Sequence, residues 1–209
     1  MGTRVHASPQ WWWRISIVLA AVVGLYSADY PILAYTTQSS VIAIGYYCGV
    51  LYWMHRRVTV EAAAPRLRVA VLSWVLLSGL VLHFVLAGGA NPIPGVLTGD
   101  PADVSSFLLH YVLPIMVFAD WLLFRPYGQA RWRDLPGWML FPLGYAAIVL
   151  ARGALVTGRY PYPFLNPDRR GWDGVGLWIA ALAVAFALVA ALLIATDRLR
   201  RPKMPTQGH

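Results

Sequence analysis

Apolar residues are concentrated in six segments, separated by shorter stretches rich in charged residues, glycine and proline. A helix needs about 20 mostly apolar residues to cross the hydrocarbon core of a bilayer, and each segment approaches that length. Strands are disfavoured because the segments are long, lack period-two alternation and would expose sheet edges to lipid. The pattern predicts an all-α polytopic membrane protein, a bundle of six transmembrane helices. The predicted spans cover residues 11–28, 36–54, 69–87, 106–124, 135–157 and 174–196 of one transmembrane domain, 1–197.

Composition points to the same class of protein. The 209-residue chain is 58% hydrophobic and 12% charged, whereas a soluble domain is roughly 45–50% apolar and about 25% charged. So few charges argue against a soluble enzyme, a disordered chain and a DNA-binding module. The single cysteine, Cys48, permits neither an intramolecular disulfide nor a cysteine-based metal site. The chain has no Gly-x-Ser-x-Gly elbow, His-Glu-x-x-His motif or P-loop, and we expect neither a metal nor a cofactor.

The basic residues predict the orientation of the spans. The net charge is +8, and thirteen of the 17 lysine and arginine residues fall on one side of the six spans. Charges at the ends of apolar segments are typical of membrane orientation rather than of nucleic-acid binding. The positive-inside rule then places both termini in the cytoplasm, with residues 198–209 as a basic cytoplasmic tail near anionic lipid. We therefore expect a multi-pass protein of the plasma membrane. The first span also has the length of a signal peptide, but no clear cleavage site follows it.

Polar side chains at membrane depth gather near the outer ends of the spans. His83, His110 and Arg152 lie near the outer ends of spans three, four and five, and span two begins with the hydroxyl-rich stretch 36–40. Ionisable residues inside spans are costly and are therefore functional candidates. Because a hydroxyl is a weak nucleophile until a base takes its proton, a Thr–His pair is one interpretation. Hydrogen bonding between helices is the alternative for both residue types.

The remaining polar residues within the spans suggest supporting roles. Thr36 and Ser40 are four residues apart and share one helix face. Asp120 follows His110 by ten residues and lies roughly 15 Å deeper. We therefore expect Asp120 to pair with a basic residue or a hydroxyl rather than to orient the imidazole. Arg152 suits a substrate carboxylate or an oxyanion, or it extends to the lipid headgroups.

Three further features leave other interpretations open. The loop 160–165 combines tyrosine, phenylalanine and proline, and could close a cavity or serve as an aromatic anchor at the membrane interface. His83 and His110 could instead be axial ligands of a haem. Pro114 and Pro142 lie within spans four and five, and broken helices of this kind are typical of transporters.

Four short motifs resemble those of a known family. They are Tyr-Thr-Thr-Gln-Ser-Ser at 35–40, His-Tyr-Val-Leu-Pro at 110–114, Asp-Trp-Leu-Leu at 120–123 and Tyr-Pro-Tyr-Pro-Phe-Leu at 160–165. With these motifs the chain resembles the Pr-six-Pr family of bacterial integral membrane proteins, which is common in actinobacteria. That family is similar to the eukaryotic androgen-induced membrane proteins. The motif after span five is the most specific part of the resemblance.

The resemblance implies both a topology and an activity. It implies six spans with both ends in the cytoplasm. The eukaryotic members are threonine hydrolases that cleave fatty-acid esters of hydroxy fatty acids, with a threonine in span two and a histidine near the start of span four. Those positions match Thr36 and His110. His110 precedes Pro114 by four residues rather than five, and Ser40 stands where many bacterial members have asparagine, so Thr37 is an alternative nucleophile.

The leading prediction is an integral membrane hydrolase of lipid-like carboxylic esters, of the type of fatty-acid esters of hydroxy fatty acids. Thr36 would attack the ester carbonyl and His110 would accept its proton. The predicted substrate-binding residues are Arg152, Tyr162, Phe164, His83 and Ser40. The expected partners are membrane lipids and a lipid-like substrate, and not nucleic acid. The alternatives are a lipid or small-molecule binder or transporter without covalent chemistry, and a structural subunit of a membrane complex.

Overall fold

The computed structural model describes residues 5–27 and 31–201, and every regular element in these two ranges is helical. The all-α prediction is therefore confirmed for the described residues. The α-helices are α1 (Pro9–Tyr26), α2 (Tyr35–Arg57), α3 (Pro65–Leu80), α4 (Ile93–Thr98), α5 (Pro101–Phe107), α6 (Leu113–Leu123), α7 (Leu135–Arg152) and α8 (Pro167–Leu199). Short 3₁₀ turns cover Val5–Ala7, Trp132–Asp134 and Pro163–Leu165, and π-helical turns cover Val81–Leu86, Leu108–Val112 and Gly153–Thr157.

Three helices begin with a polar cap followed by a proline. The side chains of Ser8, Asp100 and Asn166 accept hydrogen bonds from backbone N–H groups in the first turns of α1, α5 and α8. A capping oxygen satisfies an N–H that has no partner within the helix, and proline at the first position has no N–H to satisfy. Because the capped turns extend into polar sequence, the helices of spans four and six begin earlier than predicted, at Pro101 and Pro167.

Among the described residues, four helical rods are long and apolar enough to cross a membrane. They cover Pro65–Leu86, Pro101–Leu123, Trp132–Thr157 and Pro167–Leu199, and they correspond to the predicted spans three to six. The helices at the predicted spans one and two, α1 and α2, are 18 and 23 residues long and are not among these four. Most of the polar stretch at the start of α2 is buried against other helices. The described fold is thus that of a helical membrane protein.

Together, α1, α2 and the four rods make six helical segments that alternate in direction, and α3 lies at their centre. α3 packs against α2, α6 and α8, while α1 packs against α2 and α6, and α7 packs against α8. Nearly every residue of α3 from Arg68 to Gly79 is buried. A helix that is apolar all around is typical of the centre of a bundle. We call the end of the bundle at which α2 begins the Thr36 end, and the opposite end the Asp120 end.

At the Asp120 end, one buried carboxylate joins four helices. Arg14 Nε donates to Asp120 Oδ1 at 2.9 Å, and Arg68 Nη1 lies 3.6 Å from Asp120 Oδ2. The Tyr47 hydroxyl donates to Oδ2 at 3.3 Å, and all four side chains are buried. The prediction that Asp120 pairs with a basic residue or a hydroxyl is confirmed, because both kinds of partner are present. The contacts tie α1, α2, α3 and α6 together at one point.

Some residues used to predict the orientation lie outside the described ranges. They are Arg4, Asp29 and Lys203, and residue 28 at the end of the first predicted span also lies outside. Of the predicted basic tail, 198–209, the structure describes the part up to Arg201. In that part the Arg200 guanidinium lies 3.9 Å from the centre of the Tyr127 ring. The start of the tail therefore packs against the bundle.

Candidate active site

Three buried side chains, those of Thr36, Ser78 and His110, are in contact through the Thr36 hydroxyl. Thr36 is the second residue of α2, and its Oγ1 lies 2.9 Å from His110 Nε2. The same oxygen lies 2.8 Å from the hydroxyl of Ser78 on α3. Thr36, Ser78 and His110 are only 4%, 5% and 7% exposed. The structure thus brings the predicted nucleophile and the predicted base to hydrogen-bonding distance. Thr36 and His110 are 74 positions apart in the chain.

The tautomer of His110 follows from its second hydrogen bond. His110 Nδ1 lies 2.9 Å from the backbone carbonyl of Ser106. A carbonyl only accepts, so Nδ1 carries the hydrogen of the neutral ring and Nε2 presents its lone pair to Thr36. The carbonyl thereby orients the imidazole, as an aspartate does in a catalytic triad. Because both ring nitrogens of His110 are occupied, neither is available to a haem iron, which disfavours the haem interpretation.

The backbone around His110 is shaped by a proline and a glycine. His110 lies in the π-helical turn Leu108–Val112, and Pro114 follows at the position whose N–H would normally bond to the His110 carbonyl. Gly79 of α3 faces that carbonyl so closely that a Cβ at this position would collide with it. The close approach of α3 to the widened turn sets Ser78 and His110 on either side of Thr36. Isolated π-turns of this kind occur frequently at functional sites.

The loop after α7 closes over the start of α2. The N–H of Tyr35, the first residue of α2, donates to the hydroxyl of Tyr162 at 3.1 Å. The Tyr162 and Phe164 rings stack in parallel with their centres 5.1 Å apart, and Phe164 is buried. Burial raises the pKa of the Tyr162 phenol above its ordinary value, so the phenol keeps its hydrogen at neutral pH.

An apolar cavity extends from the three side chains into the bundle. It is partly open to the surroundings and lies between α3, α7, α8 and the loop 160–165. Thr36, Ser78, His110 and Tyr162 belong to its polar lining. Its other walls are mostly aliphatic and aromatic, as in sites that enclose the chain of a lipid-like ligand. The predicted residue Phe164 belongs to these walls.

A second, more polar opening leads from the same side chains to the surface. Thr36, His110 and Tyr162 line it at one end, and Arg152 and Arg159 line it further out. Both arginines are exposed. The predicted residue Arg152 therefore lies at the mouth of the site rather than beside the buried Thr36–His110 pair. Its position suits an anionic group at the outer end of a bound molecule.

Two predicted residues lie away from this arrangement. Ser40 is buried on α2, one turn beyond Thr36, and is not among the described residues that line either opening. His83 lies in the π-helical turn that follows α3, with its Nδ1 3.1 Å from the Tyr111 hydroxyl. The alternative nucleophile, Thr37, donates its hydroxyl to the Pro31 carbonyl at 3.0 Å. The geometry therefore favours Thr36 over Thr37.

The structure adds Ser78 and Ser106 to the predicted residues. Ser106 precedes His110 by four residues, and this spacing places a backbone carbonyl beside the side chain one turn later. That signal was available in the sequence. Ser78 is a lone serine in a long apolar segment, and its nearness to Thr36 depends on how α3 is rotated, which the sequence pattern does not specify.

Comparison with known proteins found no match to the chain among protein-family models, curated proteins or solved structures.

Proposed function

We propose that the protein is a membrane-embedded hydrolase of lipid-like carboxylic esters, with Thr36 as nucleophile and His110 as general base. The observation that carries the proposal is the 2.9 Å contact between Thr36 Oγ1 and His110 Nε2, at one end of an apolar cavity. A nucleophile within hydrogen-bonding reach of an oriented base is the arrangement that nucleophilic catalysis needs. The Ser106 carbonyl supplies the orientation.

The reaction follows from the directions of these hydrogen bonds. Thr36 Oγ1 forms a bond to the ester carbon while its proton passes to His110 Nε2. Collapse of the tetrahedral intermediate breaks the bond to the alcohol oxygen, which leaves with the proton from His110. A water molecule then attacks the acyl-threonine with the same base, releases the acid and restores the Thr36 hydroxyl.

The two openings suggest how a substrate is held. The apolar cavity suits an acyl chain, and Arg152 at the mouth suits a carboxylate on the other part of the molecule. Fatty-acid esters of hydroxy fatty acids have both features. The motif resemblance to the Pr-six-Pr and androgen-induced families supports the same substrate type. It also supports membership of that actinobacterial family, which we propose with it.

The proposal includes the topology predicted from the sequence. α1 and α2 would cross the membrane together with the four more apolar rods, giving six spans in the plasma membrane. The burial of the hydroxyl-rich start of α2 supports this, because polar groups turned toward the bundle are compatible with a membrane span. Both termini would lie in the cytoplasm, and Thr36 would lie near the outer face.

Covalent labelling tests the Thr36–His110 pair directly. We expect a fluorophosphonate probe to label the detergent-purified protein, and Thr36→Ala and His110→Ala to lose labelling. Thr37→Ala is the matched control, because its hydroxyl donates to Pro31 and not to His110. It should be labelled like the parent, and thermal melting should show that all variants are folded.

The outcome separates the hydrolase from a non-covalent lipid binder. The apolar cavity would suit a non-covalent binder equally well. Covalent labelling of Thr36 is therefore the result that distinguishes the two functions. An unlabelled parent, or equal labelling of Thr36→Ala and the parent, would contradict the proposed mechanism. Saturable binding of a lipid by an unlabelled parent would then favour the binder.

A further inference from the structure

The proposed reaction places negative charge on an atom that neither Thr36 nor His110 binds. When Thr36 attacks, the electron pair of the carbonyl double bond moves onto the carbonyl oxygen. Ester-cleaving sites stabilise this oxyanion with hydrogen-bond donors that are already in place. Arg152 is exposed at the mouth of the site. The donors therefore lie among the polar groups next to Thr36.

The hydroxyl hydrogens around Thr36 can be assigned from the known acceptors. The Ser106 carbonyl places the His110 hydrogen on Nδ1, so Nε2 accepts the single hydroxyl hydrogen of Thr36. Thr36 then has no hydrogen left for its 2.8 Å contact with Ser78 Oγ. Ser78 must therefore donate to Thr36 Oγ1. Its hydrogen points at the oxygen that would attack the ester.

The Ser78 hydrogen changes its partner as the reaction proceeds. On attack, a lone pair of Thr36 Oγ1 becomes the new bond to carbon, and this oxygen becomes a weaker acceptor. The carbonyl oxygen, bonded to the same carbon, gains a negative charge and becomes the stronger acceptor. A donor released to the oxyanion only at this stage stabilises the transition state more than the bound substrate.

The phenol of the partly buried Tyr162 is the second donor at this place. Its oxygen accepts the N–H of Tyr35 at 3.1 Å. A hydroxyl that accepts a hydrogen bond is polarised and becomes a better donor. The phenol lines the cavity together with Thr36 and Ser78.

We propose that the Ser78 hydroxyl and the Tyr162 phenol bind the carbonyl oxygen of the ester and form the oxyanion-binding site of this protein. The assignment rests on the proposed hydrolase function. It makes Ser78 and Tyr162 catalytic residues, since each touches a reacting atom. When the intermediate collapses, the electron pair of the oxyanion re-forms the carbonyl bond, and both hydroxyls keep their hydrogens.

Paired substitutions with matched controls test the proposal. Hydrolysis of p-nitrophenyl decanoate is measured in lipid nanodiscs for Ser78→Ala and Tyr162→Phe. We expect kcat to fall about 10²–10³-fold in each, as on removal of an oxyanion donor elsewhere, with KM changed by less than about threefold. Ser73→Ala and Tyr46→Phe are the controls. Their hydroxyls are bonded to the Val69 and Ala63 carbonyls, and both variants should keep the parental kcat.

A transition-state analogue separates catalysis from positioning. A decyl trifluoromethyl ketone forms a hemiketal oxyanion on Thr36, whereas decanol only fills the cavity. Ser78→Ala and Tyr162→Phe should weaken binding of the ketone about 10²-fold or more and leave the affinity for decanol unchanged. Ser78→Cys, which keeps a weak S–H donor, should lie between the parent and Ser78→Ala.

The outcomes distinguish this inference from the function on which it rests. If turnover depends on Thr36 but kcat stays within twofold of the parent in Ser78→Ala and in Tyr162→Phe, only the oxyanion assignment is overturned. A loss confined to KM, or equal losses of ketone and decanol affinity, overturns it as well. Absence of Thr36-dependent turnover in the parent overturns the proposed function and this inference together.

Discussion

At the Asp120 end, two guanidinium groups share one carboxylate in a fully buried position. Backbone carbonyls accept further hydrogen bonds from the two guanidinium groups and so stabilise the excess positive charge. Arg14 Nη1 donates to the Val60 carbonyl at 3.0 Å, and Arg68 Nη1 donates to the Phe124 carbonyl at 3.0 Å. Buried charges are tolerated only when paired and hydrogen-bonded. We infer that Asp120 stabilises the arrangement of α1, α3 and α6 and takes no part in the chemistry at Thr36.

Neutralising Asp120 should therefore lower stability strongly. Asp120→Asn leaves Arg14 and Arg68 buried without a counter-charge, and we expect a loss of about 3–5 kcal/mol in the free energy of unfolding. Asp134→Asn is the control, because Asp134 pairs at 3.9 Å with the half-exposed Arg66. Its effect should stay below about 1 kcal/mol. Thermal and denaturant unfolding in the same detergent give both values, and similar losses in the two variants would contradict this role of Asp120.

Among the helical elements, α3 and the turn around His110 lie very close to each other at Gly79. Gly79→Ala places a methyl group against the His110 carbonyl. We expect the two helices to separate, at a cost of about 1–3 kcal/mol in stability. The same movement should draw Ser78 away from Thr36 and lower kcat for ester hydrolysis.

A glycine without such a neighbour provides the control for this substitution. A Cβ at Gly49 on α2 meets no other group within 4 Å. Since alanine favours helices by about 1 kcal/mol over glycine, Gly49→Ala should be neutral or stabilising. Unfolding curves and initial rates of the two variants make the comparison. Full activity in Gly79→Ala would show that the close approach does not position the site.

The elements also explain why only part of the site was predictable. Hydropathy and charge predict how deep a residue lies in the membrane. Thr36 and His110 were therefore expected at the same membrane depth. They do not specify the rotation of each helix, and a π-turn adds a further rotation of the residues on one side of it. His83 accordingly contacts Tyr111, although its depth was predicted to match that of Thr36. Ser78 could not be singled out for the same reason.

For the whole molecule, the two ends of the bundle differ in chemistry. The Thr36 end has a cavity, a polar opening and the loop that carries Arg159 and Tyr162. The Asp120 end has the buried ionic cluster formed by Asp120, Arg14 and Arg68. Under the proposed six-span topology, the loop before α5 faces outward and the loop before α7 faces the cytoplasm. α1 and α2 pack along the same bundle as these helices.

Cysteine accessibility tests this topology. In a Cys48→Ser background, Ala90→Cys and Gln129→Cys each place one thiol in an exposed loop, at the Thr36 end and the Asp120 end respectively. Because the positive-inside rule puts the more basic end in the cytoplasm, a membrane-impermeant maleimide should label Ala90→Cys in intact cells. Gln129→Cys should react only after the cells are permeabilised. Labelling of both in intact cells, or the reverse order, would contradict the proposed orientation. A reversed bundle would place the Thr36 opening on the cytoplasmic side, and its lipid substrate would then come from the inner leaflet.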